Sequence, residues 1–293
     1  MESNYFPMRQ ILFRTLFVAL FLSALVGGIF SYWAWQNARE TRVVFLDVGQ
    51  GDAILISQGG NQILIDGGRS GKLLLSRLSR YVPFWDRTIE TVITTHPDAD
   101  HIGGLPDLVK NYQVRTFIST NAESSSDVFK LLQDRLGEGA ESPERIEADK
   151  GLAVSLPGGG VLRVLYPYGS LAENTESNAG SMVTRFSYRE TDFLLAGDLP
   201  HEETFLPDVP ESEILKLSHH GSKYSSDEKF LTLVKPKEAI VSVGQNTYGH
   251  PAAETLARVA ATGAIIRRTD VSGDLSYRCS ADLDGCVFSG ASR

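Results

Sequence analysis

Cysteine is nearly absent, with two in 293 residues, Cys279 and Cys286. That excludes a disulfide-built scaffold, and with no second pair or nearby histidine it excludes a cysteine-ligated zinc site, which needs four ligands. A basic excess is missing too: 28 lysines and arginines stand against 36 aspartates and glutamates, a net charge of −8. Setting aside Arg9, Arg14 and Glu2 of the N-terminal segment leaves 26 basic against 35 acidic side chains, about −9. Nucleic-acid binders usually present a basic face, so this balance opposes a nucleic-acid substrate. No low-complexity tract and no fixed-period repeat is visible.

Charge is also missing from one long run. Nothing between Arg14 and Arg39 is charged, and Thr15 to Trp35 is almost wholly apolar. A helix of roughly 20 such residues suffices to cross a bilayer. Arg9 and Arg14 precede the run, which predicts a cytoplasmic N-terminus, and Tyr32, Trp33 and Trp35 lie where the far interface would fall. A cleaved signal peptide competes with this reading, but the run is long for a signal core and no clean small-x-small cleavage site follows. A buried core helix would show a polar stripe, and none relieves the run. The expectation is a single-pass, uncleaved anchor in residues 1–36, with residues 37–293 outside the cytoplasm. Asp284-Gly285 between the two cysteines is a turn signal, so a C-terminal hairpin with a disulfide is expected, in keeping with an oxidising compartment.

Residues 37–42 read as a short polar linker. Strands are expected at Val43–Leu46, Ala53–Ser57, Gln62–Ile65 and Ile89–Thr95, with an amphipathic helix at Lys72–Val82. Val114–Ser119 reads as a strand and Ser126–Leu136 as a helix capped by Ser125 or Ser126. After a weakly patterned polar stretch, Gly137–Lys150, come strands at Val161–Leu165, Met182–Tyr188, Phe193–Ala196, Ile214–Ser218, Ala239–Val243 and Ala264–Arg268. Helices near Asp227–Val234 and Ala252–Ala261 separate the last three. Consecutive early strands followed by strand–helix alternation in both halves imply an α/β chain of two sheets covered by helices.

The chain is organised around Ile93-Thr-Thr-His-Pro-Asp-Ala-Asp-His-Ile-Gly-Gly104. A β-type run delivers His96, Asp98, Asp100 and His101 onto one short loop. Unpaired, the carboxylates would repel one another and each imidazole would need its own partner. One or two divalent cations remove that conflict.

This loop resembles the metal-binding loop of the metallo-β-lactamase superfamily, usually HxHxDH, with Asp98 where most members carry the second histidine. Phe45-Leu-Asp-Val-Gly-Gln-Gly-Asp52 upstream and His219-His-Gly-Ser222 downstream extend the likeness. Over roughly residues 43–275 the chain resembles the C-terminal domain of the ComEC family of DNA-uptake channel proteins. The resemblance implies an αββα sandwich with metals at one edge of the sheets. It implies that His96 and Asp98 face one metal and Asp100 and His101 the other, with Asp198 bridging them and Asp66 supporting the loop from behind. Read without the resemblance, Asp66 is a turn carboxylate and Asp198 a helix cap before Pro200–Phe205. Asn178 stands about where the family's third-motif histidine belongs, and it is a weak neutral ligand.

Consecutive histidines on extended backbone point to opposite sides. One of His219 and His220 is therefore expected to bind metal, His219 being favoured, while the other packs or meets substrate. The loop Gly221–Ser226, with Ser222 and Lys223, reads equally as a phosphate cradle or as a Ser-rich helix entrance. Asn246-Thr-Tyr-Gly-His-Pro251 adds Asn246 and Tyr248 as substrate contacts. His250 binds metal, protonates a leaving group, or caps the helix opened by Pro251. Asp98 as a hard oxygen ligand shifts preference from zinc towards manganese or magnesium. The expected activity is a phosphodiesterase or nuclease acting on DNA, with Asp100, His220 and His250 in its chemistry and a DNA-uptake channel as a conceivable partner. Two alternatives stand beside it: hydrolysis of an ester, lactone or thioester, and a non-catalytic binding module.

Overall fold

The structure, a computed structural model, describes residues 5–37, 40–137 and 142–292. Ala38 and Arg39 of the expected linker lie outside the described residues. Among the described residues fifteen strands form two sheets. In chain order they are β1 Thr41–Phe45, β2 Ile54–Gln58, β3 Asn61–Ile65, β4 Thr88–Thr94, β5 Gln113–Ser119, β6 Glu144–Glu147, β7 Ala153–Ser155 and β8 Val161–Tyr166. They continue as β9 Val183–Tyr188, β10 Thr191–Leu195, β11 Ile214–Lys216, β12 Glu238–Val241, β13 Ile265–Arg268, β14 Asp274–Ser280 and β15 Gly285–Ser292. The helices are α1 Tyr5–Asn37, α2 Gly71–Leu78, α3 Ala99–Ile102, α4 Leu105–Asn111, α5 Asp127–Gly137, α6 Glu202–Phe205, α7 Glu228–Val234, α8 Ala253–Ala261 and α9 Thr269–Ser272.

One sheet has eight strands, in the order β15-β14-β1-β2-β3-β4-β5-β6. The other has seven, in the order β13-β12-β11-β10-β9-β8-β7. Strands buried on both faces need apolar side chains on both, which is why β1 reads as a continuous run. Val43 and Phe45 point between the sheets, where they join Phe186, Phe193 and Tyr277. Val44 and Leu46 point outward, under Leu74 and Leu78 of α2 and Leu105 and Leu108 of α4. The outer face of the second sheet is covered in the same way by Phe230, Leu231 and Val234 of α7 and Val259 of α8. The result is the expected αββα sandwich.

Two strands escape the sequence pattern. β6 is exposed along most of its length and charged, as edge strands are, so it reads as loop. β7 has three residues and one inward side chain. At the C-terminus β14 and β15 pair as a hairpin, and Cys279 is bonded to its cross-strand neighbour Cys286.

Ahead of the sandwich, α1 contains Gln10–Tyr32, 23 residues of mean hydropathy 2.1, exposed throughout. At 1.5 Å per residue this stretch is about 34 Å long, matching a hydrocarbon core of about 30 Å. Its composition suits a membrane span or a signal sequence.

Candidate metal centre

β3 runs parallel to β4, and β10, β11 and β12 run parallel to one another. Their carboxyl ends, together with the loop leaving β1, converge on one edge of the sandwich, the position where open α/β sheets place their sites. There the polar side chains Asp66, Thr95, His96, Asp198 and Ser218 become buried immediately after apolar strands.

Asp198 is the hub of the cluster. Its Oδ2 lies 3.2 Å from His101 Nε2, 3.4 Å from His220 Nε2 and 4.0 Å from His96 Nε2. The rings are oriented from behind. His101 Nδ1 is 2.8 Å from Asp66 Oδ2, and His220 Nδ1 is 2.8 Å from the carbonyl of Ser242. Asp66 also accepts from the amide and hydroxyl of Thr95, so a single carboxylate fixes both the loop and the ring. With Nδ1 engaged, each ring turns Nε2 toward the centre. Nε2 of His96, His101 and His220 and Oδ1 of Asp198 are buried without a hydrogen-bond partner. Such atoms are costly unless something else satisfies them.

Among the described residues four overlapping ligand sets have donor atoms within 4.8 Å of one another: His96, His101 and Asp198; Asp100, His101 and His220; Asp52, Asp198 and His220; Asp52, Asp66 and His101. Asp52 was not expected, and neither was its partner. Lys216, fully buried, places its ammonium against the Asp52 carboxylate, 3.6 Å from Asp198 Oδ1, and donates to the carbonyl of Gly197 at 2.9 Å. A lysine inside the apolar strand Ile214–Ser218 was the visible signal, since buried charges are paired or bound to metal. Gly51 (φ +119°) explains how Asp52 gets there: a Cβ at that glycine would sit 1.9 Å from the carbonyl oxygen of Asp100.

The charges do not balance. Asp52, Asp66, Asp100 and Asp198 face one fixed cation, Lys216. Burial opposes the charged form of His101, yet Asp198 and Asp66 hold it well above the ordinary imidazole range. For His220 burial is likewise outweighed, by Asp198, Asp100 and Asp52, which push it up to about 9. His96 goes the other way: burial and the charge of His101 push it down to about 3. An excess of carboxylates that traps protons on neighbouring imidazoles, with inward-facing nitrogens unsatisfied, has the donor set and charge that a divalent cation requires. The residues present fit such an ion.

The expected site residues are distributed unevenly. Asp98 Oδ2 is 3.7 Å from His96 Nε2, but its other oxygen accepts from Ser177 and the side chain stands at the rim. Asn178 lies in a short 3-10 turn with its Oδ1 buried and unpartnered, facing the cleft. The histidine pair is not extended: His219 (φ 47°) and His220 (φ 54°) are both left-handed. Such turns cost about 1 kcal/mol or more per residue and collect at functional sites. The turn buries His220 in the cluster and leaves His219 half-buried at the cleft, its Nε2 4.0 Å from Asp198. His220 thus lies inside the cluster, and His219, favoured from the sequence, stands at its edge. Asn246 does not face the cleft. Its amide donates to the carbonyls of Gly244 and His250 and accepts from the amides of Tyr248 and His250, so it shapes the loop and has nothing left for a substrate.

A cleft of about 570 Å³ opens over the cluster, bordered by Ser222, Lys223, Tyr224, Tyr248 and His250. His250 packs edge-on against His219 at 5.1 Å, and Tyr248 stacks on His250. Tyr224 and Tyr248 expose 57% and 64% of their surface at the cleft.

Two layered sheets with a buried His/Asp cluster at the strand ends define a metal-binding α/β sandwich. The metallo-beta-lactamase superfamily pattern matches residues 46–245, and the chain belongs to that superfamily. It is 30% identical over 268 residues to ComE operon protein 3 of Bacillus subtilis, covering 82% of this chain and 33% of that protein. It is 28% identical over 262 residues to competence protein ComA of Neisseria gonorrhoeae, covering 86% and 34%. The chain thus spans about a third of the length of these relatives. Among solved structures it resembles the metallo-beta-lactamase fold protein YhfI of Bacillus subtilis, with TM-score 0.56 and 12% identity over 80% of this chain and 99% of that one. Zn(2+)-bound PqqB of Methylobacterium extorquens gives TM-score 0.53 and 14% identity, over 78% and 87%. At these identities the two structures support the fold.

Proposed function

We propose that the protein is a membrane-anchored, extracytoplasmic, metal-dependent phosphodiesterase acting on DNA, with residues 1–36 as the anchor. The observation that carries the metal-dependent reading is the convergence of three unpartnered imidazole nitrogens on Asp198. His96, His101 and Asp198 would hold one cation, and Asp100 and His220 with Asp198 a second. A bound divalent cation lowers the pKa of water and offsets charge on a phosphoryl oxygen. Manganese, zinc and magnesium are the candidates.

The chain's own residues supply the rest. Asp66 and the Ser242 carbonyl hold His101 and His220 with Nε2 inward. Lys216 keeps Asp52 ionised in a site that burial would otherwise neutralise, and for Asp198 the charges of His101 and His220 do so, with Lys216 adding to them. Lys223 at the cleft offers a cation to a phosphate, and Tyr224 and Tyr248 offer faces on which bases stack. Burial lowers the pKa of His250, with the charges of His219 and His220 adding to it. Its neutral ring is suited to take a proton and return it to the leaving oxygen. The likeness to a competence protein supports the choice of DNA as substrate.

The net negative charge favours a neutral ester over a polyanion, and a DNA-uptake channel that delivers the strand would offset that. The test is cleavage of linear single- and double-stranded DNA by the full chain with manganese, magnesium or zinc, beside Asp100→Ala. The proposal expects metal-dependent cleavage that Asp100→Ala abolishes. Hydrolysis of a carboxylic ester or lactone with DNA left intact would replace DNA by that substrate.

A further inference from the structure

Two of the most exposed aromatic side chains outside α1 are chain neighbours. Phe84 is 79% and Trp85 61% exposed on the loop between α2 and β4, and their rings meet edge-on at 4.9 Å. The loop is held in place from the next residue. Asp86 accepts from the Gln62 side chain and from the amide of Thr88, both at 3.1 Å.

Its position in the fold is informative. β1 runs from Thr41 toward the metal cluster, pairing antiparallel with β2, which pairs antiparallel with β3, which is parallel to β4. Thr41 and Thr88 therefore begin their strands at the same edge of the eight-stranded sheet. Three strand spacings separate β1 from β4, about 14 Å. The metal cluster lies past the other ends of these strands, with the seven residues of β4 spanning about 20 Å between the two edges.

α1 ends at Asn37 and β1 begins at Thr41. Four chain steps reach at most about 14 Å, so the edge that carries Phe84 and Trp85 is tied close to the end of α1. Beside that edge Arg42 and Arg278 share a single carboxylate, Glu40, at 2.9 and 3.8 Å, which leaves positive charge next to the tether. Tryptophan and phenylalanine held at a membrane surface, with arginine nearby, have the chemistry of an interfacial anchor.

We propose that Phe84 and Trp85 insert into the interface of the bilayer that α1 crosses. The domain is then held at two points, with its metal edge turned away from the membrane. The inference rests on the reading of α1 as a membrane span.

The chain's three tryptophans, Trp33, Trp35 and Trp85, allow both readings to be tested separately. The full chain is placed in lipid vesicles whose lipids carry a spin-label quencher near the headgroup or at the chain centre. Trp33→Phe/Trp35→Phe leaves Trp85 as the reporter, and Trp85→Phe leaves the pair in α1. The expected result is a blue-shifted Trp85 emission that the headgroup-proximal label quenches more than the central one. Quenching of Trp33 and Trp35 with Trp85 untouched overturns the inference and leaves the anchor standing. Quenching of neither set overturns both.

Discussion

Replacing Lys216 by methionine removes the ammonium from a fully buried site while keeping nearly the same volume. The ammonium contacts the Asp52 carboxylate, lies 3.6 Å from Asp198 and donates to the Gly197 carbonyl. Burial alone would strip its proton, but Asp52 and Asp198 more than offset that and keep it charged. Removing one member of such a pair leaves an uncompensated buried charge, costing about 3–5 kcal/mol. For a domain of this size each kcal/mol moves the melting temperature by about 2–4 °C, so Lys216→Met should lower it by roughly 6–20 °C. The assay is thermal unfolding of the full chain followed by circular dichroism, with a chelator present so that no cation substitutes for the ammonium. Asp52→Asn/Lys216→Met removes both charges and should recover much of the loss, a coupling of about 2 kcal/mol or more. A Lys216→Met protein within about 1 kcal/mol of wild type, or a double variant equal to the sum of the singles, would refute the reasoning.

Within the histidine pair, His220→Ala should abolish tight metal binding, because it removes a buried nitrogen 3.4 Å from Asp198, whereas His219→Ala should leave most of it. Equal losses by titration with manganese or zinc would contradict the geometry. Burial, with Glu203 and Asp227 adding to it, raises Glu202 to about 8 although the Ser226 amide opposes this. The native state then holds a proton that the unfolded chain releases near pH 4.5, so stability falls as pH rises from there to about 8. Glu202→Gln keeps an acceptor for Ser226 and should be more stable than wild type by roughly 3 kcal/mol at neutral pH, with no gain near pH 4; parallel melting profiles across that range would contradict it. The Cys279–Cys286 bond closes a short loop, with a sequence separation of 7, and should contribute about 2 kcal/mol. Dithiothreitol should therefore lower the melting temperature of wild type but not of Cys279→Ser/Cys286→Ser, and equal sensitivity of the two would remove that role.

Much of the sandwich is legible because burial on both sheet faces demands continuous apolar strands, and glycine and aspartate interrupt them where the chain turns. The loop after β4 is legible for a different reason: its two imidazoles and two carboxylates have few arrangements without a cation. What the sequence conceals depends on partners far along the chain. Asp52 and Lys216 meet across the two sheets, and neither position advertises the other. The left-handed turn at His219 and His220 departs from extended backbone, so strand alternation does not describe how the two side chains are placed. Asn246 looks like a substrate contact until its four loop hydrogen bonds are seen. β6 is hidden by its own charges, which an edge strand tolerates and a central one does not.

The central claim is that Asp198 and the imidazoles around it hold a divalent cation. The most direct measurement is the metal content of the purified full chain after equilibration with manganese or zinc and removal of free ion, for wild type and for His101→Ala. The account predicts at least one tightly held ion per chain in wild type and its loss when His101, 3.2 Å from Asp198, is removed. A wild-type chain that retains no metal, or a His101→Ala chain that retains as much, would contradict it.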